Sequence, residues 1–232
     1  MNKTERFFEL DVLRGLAVIL MVVFHIGYDL ALFGYASYKT TEDIEWILFR
    51  GIILSMFLLA VGMSAYLAYN DGIRYDKLVK TLLKLILVSI LISAGSYVMF
   101  PQQWIYFGVI HFIVVALVLV LPFIKVPRMA LFFAIALIGS YLMGYTPLEA
   151  MFQYSVKHWH IPLYTVDLVS FTPWFGVVLI GVFVMDKKIF GLKLAQNTVT
   201  KRTALMGRHS LAIYLLHQPA LLGLFYIIKL LR

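Results

Sequence analysis

Seven apolar stretches divide the chain, at about Leu13–Phe33, Trp46–Tyr69, Val79–Met99, Ile105–Ile124, Met129–Gly144, Leu168–Met185 and His209–Ile228. A bilayer core is about 30 Å thick, and about 20 consecutive apolar residues in a helix cross it. Hydrocarbon cannot satisfy an open backbone, so each crossing segment must close its own hydrogen bonds as a helix. The expected fold class is an all-α, polytopic membrane bundle of seven helices, forming one membrane-embedded domain over residues 1–232. The fifth stretch is the shortest. Composition points the same way: 62% of residues are apolar, 14% are charged and the mean hydropathy is +0.90. Soluble domains run near half apolar and a quarter charged, so a disordered chain and an ordinary globule are excluded.

The net charge of +8 says more about orientation than about a nucleic-acid partner. With the N-terminus inside, five of the 20 Lys and Arg residues fall outside: Lys39, Arg50, Lys157, Lys229 and Arg232. The rest fall inside, as the positive-inside rule requires for seven spans with an outer C-terminus. The first stretch is too long for a cleaved signal sequence and no small-x-small site follows it, so it is expected to remain as an anchor.

Charged and titratable residues within such stretches are costly, and each is a functional candidate. The first stretch carries Asp11, Arg14, His25 and Asp29. Arg14 and His25 are about three helical turns apart and share a face, roughly 16 Å from one another along the axis. Asp29 follows His25 one turn later on that face. A histidine beside a carboxylate makes a general base, because the acid fixes the tautomer and stabilises the imidazolium. Arg14 alone is equally well read as a side chain snorkelling from a helix end. Arg50, His111, Asp167 and His217 add polar groups to other stretches. For His111 and His217 taken singly, a hydrogen-bonded packing role competes evenly with catalysis.

Other features carry less. Trp46, Trp104 and Trp159 read as interfacial anchors, and the Ser89/Ser93 and Gly176/Gly181 spacings as helix-contact faces. His158 and His160 lack a third ligand, so no metal site is expected. The chain has no Cys, which removes thiolate metal sites and cysteine nucleophiles. No Walker loop, dinucleotide fingerprint or nucleophile elbow occurs, and the last stretch has no mid-span Lys for a Schiff base.

The run Leu10-Asp11-Val12-Leu13-Arg14-Gly15, with His25 eleven residues after Arg14, resembles the Arg-x10-His signature of the transmembrane acyltransferase superfamily. Four further motifs follow in order: Tyr28-Asp29-Leu30 after His25, Phe107-Gly108 with His111, Pro173-Trp174 with Gly176, and Ser210 through Pro219. Together they are similar to the heparan-alpha-glucosaminide N-acetyltransferase catalytic-domain family, from first helix to last. The better-known relatives have more spans than the seven read here. The resemblance implies transfer of an acetyl group from cytosolic acetyl-CoA to an amine or hydroxyl of a glycan or small molecule across the membrane. It implies a bacterial inner membrane as the location, with membrane lipid as a partner and a homodimer as a compatible assembly. His25 inherits the role of catalytic base and Arg14 a place near acetyl-CoA.

The stripe on the first helix suits that chemistry. Arg14, Lys84 and Arg208, with Lys80 nearby, would grip the CoA phosphates, where Arg gives bidentate contacts. The thioester would then reach His25, oriented by Asp29. His111, Tyr28 or the Trp174 indole would supply an oxyanion donor. A two-step route through acetyl-histidine uses the same residues. Two other classes remain open at this point. One is a proton-coupled transporter, which calls for inverted halves and broken helices. The other is a non-catalytic membrane scaffold.

Overall fold

A computed structural model describes residues 7–146, 154, 156, 158, 162, 165, 167–190 and 193–231. Lys3 and Arg6, expected inside, and Glu149, Lys157, Trp159 and His160, expected in a long outer loop, lie outside the described residues. Among the described residues every regular element is a helix: α1 (Phe8–Leu32), α2 (Ile44–Tyr69), α3 (Tyr75–Met99), α4 (Val109–Leu119), α5 (Leu121–Ile124), α6 (Pro127–Leu142), α7 (Trp174–Asp186), α8 (Thr198–Arg208) and α9 (Ser210–Leu230).

Four of these, α1, α2, α3 and α9, are long and apolar enough to cross a membrane. The fourth, fifth and sixth apolar stretches become shorter helices of 11, 16 and 13 residues. At 1.5 Å per residue these rise only about 16–24 Å, less than the seven full spans read from hydropathy. The cause is local chemistry that an apolar count does not see. α4 starts only at Val109, where the Asp167 carboxylate accepts the Val109 N–H at 3.2 Å. It stops at Val120, and Pro122 sits in the first turn of the short α5. Proline lacks an N–H and is tolerated mainly at helix starts. Pro127 opens α6 in the same way, and Pro173 immediately precedes α7.

The chain forms two compact units, residues 1–57 with 191–232, and residues 58–190. In the first, α1 and α8 meet backbone to backbone. A Cβ on Gly15 would lie 1.9 Å from the Thr203 carbonyl oxygen, and one on Gly207 would lie 1.8 Å from that of Asp11. α8 is a polar helix lying between the sixth and seventh apolar stretches. Asn197 caps it, its side chain accepting the Thr200 N–H at 2.9 Å while the Thr200 hydroxyl receives the Asn197 N–H at 3.1 Å. Farther along α1, Met21 and Phe24 bury against Ile53 of α2, with Trp46, Phe49 and Tyr214 packed around them. Trp46, expected as an interfacial anchor, stacks on Tyr38 at 4.7 Å. Its ring fills the space that any side chain on Gly27 would need.

In the second unit, α7 packs by its small residues. A Cβ on Gly181 would lie 2.3 Å from the Leu59 carbonyl oxygen, and one on Gly62 would meet that of Val178 at 1.9 Å. Gly176 faces Ala134 and Ile138 of α6. The Gly176/Gly181 spacing is thus a helix-contact face, as read from the sequence.

Candidate functional site

The first unit holds two polar clusters, both on α1. Near its N-terminal end, the Asp11 carboxylate is 1% exposed and takes two guanidinium groups. Arg14 Nη1 donates to one oxygen at 3.4 Å and Arg208 Nε to the other at 3.1 Å. Gly15 and Gly207 make this meeting possible, because only glycines allow the two backbones so close. One buried carboxylate therefore holds the guanidinium groups of Arg14 and Arg208 in one place. The two arginines expected to hold phosphates are brought together here.

Three turns farther along α1 lies the second cluster. The His25 Nδ1–H donates to the Met21 carbonyl at 2.9 Å. A carbonyl only accepts, so the neutral ring carries its proton on Nδ1 and its lone pair on Nε2. The tautomer is set by a backbone carbonyl one turn back, not by Asp29 as the i,i+4 spacing suggested. Asp29 is fully buried, and its Oδ1 receives the Gln218 Nε2–H from α9 at 2.9 Å. Among the described residues, its buried Oδ2 and the buried Gln218 Oε1 meet no hydrogen-bond partner. Two acceptors enclosed in this way are costly unless a donor meets them. His217 brings its ring to 4.5 Å from that of His25, at 79°. The one-residue-at-a-time reading of His217 missed this pairing. The signal was its own motif, His217-Gln218-Pro219, but only the tertiary arrangement says which helix it meets.

His111 belongs to the second unit and is built into the start of α4. Its Nδ1 accepts the Gly108 N–H at 3.3 Å, and its Nε2 meets the Ser93 hydroxyl at 3.0 Å. Ser93 spends its own hydroxyl proton on the Ile105 carbonyl at 2.7 Å, so Nε2 is the donor. Both ring nitrogens serve to fasten residues 105–111 to α3 and to cap α4, an arrangement of the structural kind. His111→Ala is expected to lower stability by about 0.5–2 kcal/mol, the usual cost of a lost cap, read as a Tm decrease in detergent. Lys84 and Trp174 also lie in this unit, Lys84 on the exposed face of α3 and Trp174 half-buried as the first residue of α7. Among the described residues no cluster of metal-ligating side chains occurs.

A family model described as heparan-alpha-glucosaminide N-acetyltransferase, catalytic, matches residues 6–219. No curated protein and no solved structure matches the chain significantly.

Proposed function

The chain belongs to the heparan-alpha-glucosaminide N-acetyltransferase catalytic family, and on that footing we propose that it moves an acetyl group from acetyl-CoA to an amine or hydroxyl, with His25 as the general base. The observation that carries this reading is the pairing of two clusters on α1. A guanidinium pair ordered by Asp11 lies at one end, and a histidine with its lone pair on Nε2 lies eleven residues on. The first suits the phosphates of CoA, and arginine forks favour such groups. The second suits removal of a proton from the attacking nucleophile. The CoA arm would run along α1 between them. The acceptor is a glycan or small molecule entering from the side opposite the donor, consistent with Asp29 and Gln218 offering two buried acceptor oxygens near His25. The reading includes seven membrane passages, an inner N-terminus and a bacterial inner membrane, supported by the charge bias and by the four long and three shorter apolar helices. A homodimer is compatible with it.

The test is thermal stabilisation of the purified full chain by acetyl-CoA, with dephospho-CoA and an unrelated nucleotide as controls. A ligand that binds the folded state raises Tm by mass action, and stabilisation specific to CoA species is expected. Arg14→Ala removes a charge-assisted contact of about 1.5–3 kcal/mol, so acetyl-CoA affinity should weaken about 10- to 100-fold while Asp11 keeps Arg208. An unchanged affinity would place the phosphates elsewhere.

A further inference from the structure

Two histidines from opposite ends of the chain occupy one place in the first unit, and they are held alike. His25 Nδ1–H donates to the Met21 carbonyl at 2.9 Å, and His217 Nδ1–H to the Tyr214 carbonyl at 2.7 Å. Each neutral ring is therefore fixed in the same tautomer by its own helix backbone, with its lone pair on Nε2. The Gln218–Asp29 hydrogen bond ties α9 to α1 beside them and fixes the register in which the rings meet edge to face, 4.5 Å between centroids. Phe24 closes the site at 5.5 Å from His25. Ionisable side chains beside the rings include Tyr28 on α1 and Tyr214 on α9, and Asp29 joins Gln218, the residue after His217. α2 contributes Trp46 and Phe49 against Phe24.

Two imidazolium charges at this separation oppose one another strongly, whereas one imidazolium beside a neutral ring does not. We propose that His25 and His217, neutral at rest, can take up only one further proton between them, and that His217 is the positioning residue whose neutral ring supports the imidazolium formed on His25. That catalytic role rests on the acetyl-transfer reading above; the shared proton does not. In the transfer step the acceptor's N–H or O–H bond breaks and its proton passes to His25 Nε2. The freed electron pair forms the bond to the acetyl carbon. The carbon–sulfur bond breaks with its pair on sulfur, and the thiolate takes the proton from His25 to leave as CoA thiol. The base is restored, and at no point does the pair carry more than one added proton.

The experiment is an NMR titration of the full chain, labelled with 15N-histidine and held in lipid nanodiscs, from about pH 8 to about pH 5, the window in which histidine titrates. His25→Gln and His217→Gln assign the signals. The expected result is uptake of one proton by the pair, with both rings moving at one shared midpoint, and a displaced His25 midpoint in His217→Gln. Uptake of two protons, or of none, overturns the proposal, and the wild-type measurement needs no variant to fold. Turnover adds a second reading. His217→Phe keeps a ring but no nitrogen, and is expected to lower kcat at least about tenfold with KM for acetyl-CoA unchanged, partly recovered in His217→Gln. A fully active His217→Phe removes the catalytic role. Failure of the acetyl-transfer reading shows separately, as no stabilisation of the wild type by acetyl-CoA.

Discussion

His25→Ala is expected to lower acetyl transfer by about 10²- to 10⁴-fold, the usual contribution of a general base, while the protein still folds and is still stabilised by acetyl-CoA. The ring is half-buried beside Met21, Phe24 and Tyr28 rather than locked in the core. The Met21 carbonyl that its Nδ1–H meets remains engaged in the helix when the side chain is gone. Binding and chemistry should therefore separate. The cluster at Asp11, Arg14 and Arg208, proposed to hold the donor's phosphates, is untouched, so the loss falls on kcat and leaves the thermal shift intact. Release of CoA thiol from acetyl-CoA, followed alongside the Tm, measures both. A variant with wild-type turnover would remove His25 from the mechanism.

Gly207→Ala should have the largest effect on stability. The new methyl would lie 1.8 Å from the Asp11 carbonyl oxygen and 2.8 Å from the Gly15 nitrogen. Both are backbone atoms of α1, which cannot rotate away as a flexible side chain does. α8 must move off, at the overpacking cost of about 1–3 kcal/mol. Arg208 ends α8 and moves with it, which loosens its bond to the buried Asp11 carboxylate. A buried charge that loses a partner costs about a further 3–5 kcal/mol when the loss is complete. The expected outcome is a Tm lower by many degrees and loss of stabilisation by acetyl-CoA, since the arginine pair is no longer ordered. Gly223→Ala, where an added Cβ meets nothing within 4 Å, is the matched control and should leave both unchanged.

How much of this was legible in the sequence depends on what fixes each feature. The long helices were: α1, α2, α3 and α9 follow the apolar stretches to within a few residues, because hydrophobic length is all they need. α4 and α7 were overestimated, since Asp167, Pro122 and Pro173 set their ends through caps and missing donors. α8 lies outside the apolar stretches because it is polar, and its only sequence signal is the Asn197/Thr200 capping box that marks a helix start. At the site, helical spacing put Arg14 and His25 on one face, and the structure gives each a polar setting. Spacing could not supply what comes from α8 and α9. Arg208 at Asp11, Gln218 at Asp29 and His217 at His25 are about 190 residues away in sequence or more. Nor could it show that Met21, rather than Asp29, takes the Nδ1 proton. For His111 the even choice between packing and catalysis turns toward packing, because Ser93 and Gly108 take both nitrogens.

The central claim is that one helix carries the donor from its phosphates to its reacting carbon. An experimental structure of the full chain with CoA bound tests it most directly. The expected result is the CoA phosphates on Arg14 and Arg208 and the sulfur beside His25, near the roughly 3–3.5 Å approach that reacting groups need. Phosphates held away from both arginines, with the sulfur remote from His25, would contradict it.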